Sequence, residues 1–399
     1  MSAPLDNVRI LDMSRVLAGP WAGQLLGDFG ADVIKIERPG SGDDTRQWGP
    51  PFLGNESAYF LSANRNKRSV TVNIAVEAGQ AIIKALVRQT DILIENYKGR
   101  TLAKFGLGPD DLLKLNPQLI YCSISAFGQT GSRAQEPGYD AMIQASAGLM
   151  SITGPSPNES GGPQKVGVAV ADIMAGMYAT SAILAALHSR SVSGQGQHID
   201  VPLYDSQVAW LANQNMNFLI SGNVPKRMGT AHPNLVPYQV FATNDGDLML
   251  TVGNDRQFAS CCDALGLSSV ANDPRFESMS DRVENRQILI PLLESKFLEG
   301  GTKYWLSVLH AKGVPAGPVN DLAEVLTNDH AVERNLVRHI QNGENRSVPH
   351  ISNPVEFGRT PVRYERAPPI LGEHTNEVLR DCLGYSDAEI EILRQSEVI

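Results

Sequence analysis

The first 200 residues alternate between short apolar runs and longer segments in which apolar residues recur at helical spacing. The apolar runs predict strands at Val8–Met13, Asp32–Glu37, Ser69–Ile74, Asp91–Glu95, Leu119–Ser123 and Gln197–Val201. The helical spacing predicts helices at Gly19–Gly30, Glu77–Arg88 and Met177–Leu187. This alternation is typical of an α/β fold, in which helices cover both faces of a mostly parallel sheet. Such sheets bind ligands at the carboxyl ends of their strands.

The pattern changes after residue 200 and predicts a second, smaller α+β region. A long helix is predicted at about Leu203–Ile220, followed by a loop up to Pro237. A hairpin is predicted at Phe241–Leu250, where Asp245-Gly246 offers the turn. The predicted division is therefore a large domain over 1–200, a linker over 201–237, a small domain over 238–320 and a last segment over 321–399.

Asp172 is the strongest candidate for chemistry. It is a single carboxylate in the apolar, small-residue stretch Val168–Gly176, just before the predicted buried helix. The dipole of that helix would favour the ionised carboxylate, and scarce water would leave it nucleophilic. The alternative from this stretch alone is a helix N-cap, because Asp is common at that position.

Composition narrows the function classes. A net charge of −9 and a pI near 5.4 argue against a nucleic-acid surface. No apolar run reaches the length of a membrane span, and the N-terminus has no signal-peptide pattern. The four cysteines have neither disulfide nor zinc spacing. We therefore expect a cytoplasmic protein with no membrane partner and no bound metal.

Neither of the usual glycine-rich phosphate motifs is present, but several other strings occur in a specific order. They are Arg15–Pro20, Lys35–Gly40, Gly42–Arg46, Asn64–Ser69, Glu95–Tyr97, Gly138–Asp140, Asp172 and Leu371–Thr375. Together they resemble the class III CoA-transferases, the CaiB/BaiF family that includes formyl-CoA transferase. The resemblance extends over essentially the whole chain.

The resemblance implies a fold and a set of contacts. The large domain would be a Rossmann-like parallel sheet built from both chain ends, with 321–399 completing it, and two chains would interlock as a homodimer. Asp172 would be the nucleophile. No cofactor would be tightly bound, since coenzyme A enters as the acyl-CoA substrate. The implied CoA contacts are Val16, Ala18, Arg38, Val72, Asn96, Tyr97, Lys104 and Tyr139.

The resemblance also implies a mechanism. Asp172 would attack the donor thioester to give a mixed anhydride and free CoA thiolate. The thiolate would then form an aspartyl-CoA thioester, which the acceptor carboxylate attacks in turn. Such chemistry needs a closed site and an oxyanion stabiliser, for which backbone N–H groups are suitable.

The strings Gly42–Pro51, Gly128–Gly131 and Gly229–His232 look most like the succinyl-CoA–glutarate CoA-transferases, which implies dicarboxylic substrates. The second carboxylate of such a substrate must be paired if it is buried. The candidates for that pairing are Arg46, Arg227 and His232, and Asp140 is a further candidate substrate contact. The alternative for Arg46 is a structural pair with Asp43 or Asp44. The alternative for His232 is a loop residue that caps a turn before Pro233.

Other functions stay open at this point. An α-methylacyl-CoA racemase of the same fold uses a His as base, where this chain has Tyr139 in Gly138–Asp140. Tyrosine, with an ordinary pKa of about 10, is a poor base for that step. A CoA-binding protein without turnover, a CoA-ester hydrolase, and a transferase with a monocarboxylate or carnitine acceptor are further alternatives.

Overall fold

The computed structural model describes residues 2–341 and 346–399. Its strands, in chain order, are β1 (Arg9–Asp12), β2 (Asp32–Glu37), β3 (Phe52–Leu53), β4 (Glu56–Ser57), β5 (Lys67–Thr71), β6 (Ile92–Glu95), β7 (Ile120–Ser125), β8 (Gln197–Pro202), β9 (Tyr238–Ala242), β10 (Asp247–Thr251), β11 (Ala316–Pro318), β12 (Val337–Gln341) and β13 (Ser347–Ile351).

The helices are α1 (Ala18–Asp28), α2 (Ala58–Ser62), α3 (Glu77–Val87), α4 (Pro109–Leu115), α5 (Asp140–Ser146), α6 (Leu149–Ile152), α7 (Val170–Ser193), α8 (Leu203–Trp210), α9 (Asn213–Ser221), α10 (Asp255–Ala264), α11 (Ser268–Ala271), α12 (Met279–Glu284), α13 (Arg286–Phe297), α14 (Thr302–Ala311), α15 (Leu322–Thr327), α16 (Asp329–Glu333), α17 (Thr375–Leu383) and α18 (Asp387–Gln395). Short 3-10 helices are found at Asp44–Gln47, Leu102–Phe105 and Pro274–Phe276.

Six strands of the described chain form one parallel sheet in the order β5-β2-β1-β6-β7-β8. The predicted α/β class and the strand positions are thus confirmed. The third strand begins earlier than predicted, at Lys67 rather than Ser69. Its first two residues are charged but buried, because Lys67 pairs with Asp12 and Arg68 pairs with Asp32. A search for apolar runs cannot detect the start of a strand whose first residues are charged.

The prediction that both chain ends contribute strands to this sheet is wrong for the described residues. All six strands lie between Arg9 and Pro202. The C-terminal segment contributes the helices α17 and α18 instead, which bury Val378, Leu379 and Ile390 against one face of the sheet. On this face they join apolar side chains of α3 and α4, so the chain end covers the sheet without extending it.

The opposite face of the sheet is covered mainly by α1 and α7, whose alanines pack on β6 and β7. Helix α7 is longer than predicted, and it is long and apolar enough to cross a membrane by length and composition alone. Core helices of water-soluble proteins share this property, and α7 buries Ala171, Ala175, Ala179 and Ile183 inside the fold.

The long helix predicted over Leu203–Ile220 is interrupted. Helix α8 ends at Trp210 and α9 begins at Asn213. Between them Ala212 adopts a left-handed conformation with φ 47°, which an α-helix cannot contain.

The chain forms two compact units. The larger contains the described residues up to Leu149, Val166–Ile220 and His330–Ile399. The smaller contains Met150–Lys165 and Ser221–Asp329. Its antiparallel sheet has the order β11-β10-β9, and helices α10 to α14 surround a core that includes the free thiols Cys261 and Cys262. The predicted division had its boundaries at residues 200, 237 and 320.

Candidate active site

Asp172 is the third residue of α7 and is 8% exposed. The N-cap of α7 is Ala169, and Asp172 makes no capping bond, so the N-cap interpretation is wrong. The carboxylate of Asp172 has no hydrogen bond or ion pair with any described residue. A buried carboxylate without partners is costly to maintain, which is typical of a group kept for chemistry.

The environment of Asp172 opposes its negative charge. Burial raises its pKa from the ordinary 3.8 to about 7, and the nearby carboxylate of Asp140 adds to the rise. The predicted preference of the helix N-terminus for the ionised form is therefore outweighed by desolvation. Near neutral pH the protonated and ionised forms of Asp172 are both populated.

Asp140 and Gln144 hold the chain that leads to Asp172. They lie one turn apart on α5, so their side chains share a face. Asp140 accepts the Ala171 N–H at 2.8 Å and a bond from Gln144 Nε2 at 2.7 Å. Gln144 is fully buried, and its Oε1 accepts the Val166 N–H at 2.8 Å. The first turn of α7 is thus fixed by side chains from another helix.

Gly176 brings α7 close to the N-terminus of α1. It lies one turn after Asp172, and a Cβ added there would be 2.6 Å from the Ala18 carbonyl oxygen. Any larger residue would push the two helices apart. The close approach places the Asp172 end of α7 beside the turn that precedes α1.

A small cavity of about 160 Å³ contains the Asp172 side chain. Four of the predicted CoA contacts line this cavity with it: Val16, Ala18, Asn96 and Tyr139. Lys98 lines it as well and has no ion pair with a described residue. The cavity thus combines a carboxylate, the start of α1 and a cationic side chain.

A larger cavity of about 700 Å³ lies next to the small one, since Arg15 and Asp44 line both. Three more predicted contacts line it: Arg38, Val72 and Tyr97. Arg38 is exposed and unpaired among the described residues, whereas Val72 is buried and supplies an apolar wall. An unpaired guanidinium group beside an apolar wall suits a ligand that carries both phosphates and a base.

Five predicted site residues are not in these linings: Lys104, Arg46, Asp140, Arg227 and His232. Lys104 is exposed in a short 3-10 helix outside both cavities. Arg227 and His232 belong to the smaller unit. Arg227 donates to the Pro155 carbonyl at 3.1 Å, and His232 Nδ1 accepts the Asn234 N–H at 3.0 Å. The contact of His232 closes a turn around Pro233, as its alternative interpretation expected.

The prediction that Arg46 contacts the substrate needs correction, because other side chains already bind its guanidinium group. It is 6% exposed and binds both carboxylate oxygens of Glu37, at 2.8 and 2.7 Å. A further ion pair with Glu56 measures 2.8 Å. Arg46 is therefore a structural ion-pair residue, but its partners are Glu37 and Glu56 rather than the predicted Asp43 or Asp44.

Sequence reasoning missed several residues of this region. Tyr59 lies near Asp172: burial, followed by the charges of Asp172 and Asp140, raises the Tyr59 pKa to about 12. Its ring packs edge-on against Trp48 at 5.2 Å. Arg394 reaches the larger cavity from α18. No motif or spacing signals these residues, because only the tertiary fold brings them to the site.

The described residues contain no group of three or more His, Cys, Asp or Glu side chains that could hold a metal ion. The residues that line the two cavities offer carboxylate, cationic, hydroxyl and backbone groups. A carboxylate that is ionised in part near neutral pH can act as a nucleophile toward an activated carbonyl.

Comparison with known proteins gives the family. The family model described as CoA-transferase family III matches residues 5–375. The succinate–glutarate CoA-transferase of Agrobacterium fabrum (strain C58) is 46% identical over 384 residues, which cover 95% of each chain. The succinyl-CoA:glutarate CoA-transferase of Homo sapiens is 44% identical over 399 residues, covering 99% of this chain and 90% of that protein.

A solved structure agrees with this relation. The crystal structure of a CAIB/BAIF family protein from Brucella suis has 43% sequence identity and a TM-score of 0.84. The match covers 96% of this chain and 100% of the other. The predicted resemblance is thus confirmed, and the chain belongs to CoA-transferase family III.

Proposed function

We propose that this enzyme transfers CoA from succinyl-CoA to glutarate or a closely similar dicarboxylate, with Asp172 as the covalent nucleophile. The observation that carries the proposal is the buried Asp172 carboxylate, which has no partner among the described residues and lies at a small cavity next to one large enough for much of CoA. The substrates are taken from the names of relatives that are 44–46% identical over nearly the whole chain.

The proposed reaction starts with ionised Asp172. One of its oxygens attacks the thioester carbonyl of succinyl-CoA, so the carbon–sulfur bond breaks and CoA leaves as thiolate. The thiolate then attacks the Asp172 carbonyl of the anhydride, giving an aspartyl-CoA thioester and free succinate. Glutarate attacks this thioester to form a second anhydride, and CoA thiolate attacks its glutaryl carbonyl. Glutaryl-CoA leaves, and Asp172 is regenerated as a carboxylate.

The start of α1 supplies candidate oxyanion donors for these steps. In the described part of the chain, the N–H groups of Ala18 and Gly19 have no acceptor, as is usual in the first turn of a helix. Ala18 lines the cavity of Asp172. Donors that are already ordered cost no reorganisation when charge develops on a carbonyl oxygen.

The larger cavity is proposed to bind the nucleotide part of CoA. Arg38 and Arg394 line it and would pair with phosphates, while Val72 and Tyr97 would contact the base. No tightly bound cofactor takes part in the proposal. Tyr139 is 65% exposed at the cavity of Asp172 and would contact the pantetheine end.

The same proposal includes an interlocked homodimer in the cytoplasm, without a membrane partner. Helix α9 and the end of α7 carry large apolar side chains on their surfaces: Met216, Phe218, Leu219, Ile220 and Val192. Exposed apolar patches of this kind are typical of surfaces that another chain covers. The four cysteines are free thiols, which fits a reducing compartment.

A transfer panel tests the proposal. Purified enzyme is mixed with succinyl-CoA and, in separate reactions, with glutarate, hydroxymethylglutarate, oxalate, itaconate, malate or carnitine, and the CoA esters are identified by mass. We expect a dicarboxyl-CoA product that disappears in Asp172→Asn but persists in Asp205→Asn. Asp205 is a matched control because it is also the third residue of its helix but is exposed. A product only with oxalate or carnitine would contradict the substrate assignment.

A further inference from the structure

We propose that Asp43 is a positioning residue for CoA transfer: together with Lys35 and Asn96 it holds the turn Ser14–Val16 in a left-handed conformation that places the start of α1 at the Asp172 cavity. Asp43 itself lines only the larger cavity, so it would act on the reaction through this turn. The inference rests on the proposed function, because its test is an assay of CoA transfer.

The turn contains an unfavourable backbone conformation. Val16 has φ 69°, in the left-handed region that β-branched residues rarely adopt. Such a conformation persists only where surrounding contacts supply the free energy that it costs, and it is frequent at active sites. The contacts that hold Val16 are therefore expected to matter for function.

The buried ion pair of Lys35 and Asp43 holds both ends of the turn by hydrogen bonds. The Val16 N–H donates to the two carboxylate oxygens of Asp43, at 3.2 and 3.3 Å. On the other side, Lys35 Nζ donates to the Ser14 carbonyl at 2.9 Å. Lys35 and Asp43 are joined at 3.0 Å, and both side chains are fully buried. The two ends of the turn are thus fixed to one rigid pair.

Asn96 fixes Arg15, the residue between Ser14 and Val16. Its Oδ1 accepts the Arg15 N–H at 2.8 Å, and its Nδ2 donates to the Arg15 carbonyl at 2.6 Å. Asn96 lies directly after β6, Lys35 is within β2, and Asp43 follows β2 by a short loop. Side chains from the carboxyl-terminal side of the sheet therefore hold the backbone of three consecutive residues.

The negative charge of Asp43 suits its role as the acceptor of the Val16 N–H. Burial alone would raise its pKa, but the charge of Lys35 and the hydrogen bonds from Thr45 bring the pKa below the ordinary value. Asp43 is thus an ionised acceptor at neutral pH, and a charged acceptor binds an N–H group more strongly than a neutral one.

The position of the turn connects it to the chemistry. Val16 directly precedes Leu17, the N-cap of α1, and Val16, Ala18 and Asp172 line the same small cavity. Relaxation of Val16 to an ordinary conformation would redirect the chain at Leu17 and move the free N–H of Ala18. A misplacement of about 1 Å at a reacting centre can cost on the order of a hundredfold in rate.

A double-mutant cycle tests the inference. Asp43→Asn, Val16→Gly and the double variant are compared by kcat, by KM for succinyl-CoA and by thermal unfolding. Glycine adopts the left-handed conformation without the steric cost of a side chain, so a glycine at this position no longer needs Asp43 to hold it. Val16→Gly alone is expected to lose activity several-fold, because a wall of the cavity is removed.

The expected result is strong non-additivity. Asp43→Asn should lower kcat on the order of a hundredfold in the otherwise unchanged enzyme, but only about threefold or less when V16G is present. The unfolding temperature should fall in both backgrounds, because Lys35 loses its ion-pair partner Asp43 in each. Equal loss of kcat in both backgrounds would overturn the inference. No transfer by the unchanged enzyme would instead contradict the proposed function.

A second comparison remains decisive if Asp43→Asn does not fold. Val16→Gly and Val16→Ala are made in the otherwise unchanged enzyme, and their unfolding temperatures are compared. At an ordinary position alanine is the more stabilising of the two, because glycine loses more backbone entropy on folding. If Val16 is held in a strained left-handed conformation, V16G should unfold at the higher temperature. The opposite order would overturn the inference.

Discussion

Replacement of Asp172 by Asn should stabilise the enzyme above neutral pH while abolishing transfer. Folding removes the carboxylate from water without giving it a partner among the described residues, and this raises its pKa from 3.8 to about 7. The folded state therefore binds a proton more tightly than the unfolded chain does. The stability that comes from the bound proton is present below the unfolded pKa and is lost as pH rises through about 7.

The size of the stability difference follows from the shift in the pKa of Asp172. A change from 3.8 to about 7 corresponds to at most about 4 kcal/mol of unfolding free energy. Between about pH 4 and pH 7 the wild-type enzyme should lose about 1.4 kcal/mol per pH unit relative to Asp172→Asn. Above this window the difference should stay constant, since Asp172 is then ionised in both the folded and the unfolded chain.

The assay is urea unfolding of both proteins between about pH 5 and pH 8, at one protein concentration because the proposed dimer links stability to concentration. Asp205→Asn is the matched control, and its difference from wild type should not follow this curve. A stability difference for Asp172→Asn that does not change with pH would refute the reasoning. So would a wild-type enzyme that gains stability over the variant as pH rises.

Three further predictions concern how the site is held and how it binds acyl-CoA. Asp140→Asn removes a like charge near Asp172, so the acid limb of the kcat/KM profile should move to lower pH; an unchanged profile would contradict the electrostatic role. Arg38→Ala should raise KM for succinyl-CoA about tenfold and change kcat little, and an equal loss in both would place Arg38 in the chemistry. Gly176→Ala should separate α7 from α1 and lower kcat by about tenfold or more, whereas near-normal turnover would show that the close approach is not needed.

The sequence predicts the parallel sheet well because buried strands in this fold are short apolar runs with clear boundaries. It also finds Asp172, because a lone carboxylate in an apolar helix start is conspicuous. The direction of its pKa could not be predicted, because that depends on how deeply α7 is buried and on Asp140, which lies 32 positions earlier in the chain.

The contacts of polar and charged residues are harder to predict from the sequence than the strands are. From the sequence, Arg46 is either a substrate contact or a structural partner of Asp43 or Asp44, yet in the fold Glu37 and Glu56 bind it. Asn96 reads as a ligand contact, and in the structure its amide is engaged with the Arg15 backbone. Arg394 comes from the opposite end of the chain and carries no motif. In each case the partner is fixed by tertiary contacts that spacing along the chain does not encode.

The covalent role of Asp172 is the central claim, and transfer of oxygen-18 tests it most directly. Enzyme is supplied with succinyl-CoA and with glutarate labelled in its carboxylates, and the peptide that contains Asp172 is analysed by mass after a single turnover. The proposed anhydrides leave one glutarate oxygen on the Asp172 carboxylate, and later turnovers pass that oxygen to succinate. Labelled glutaryl-CoA formed without any label in the Asp172 peptide or in succinate would contradict the account.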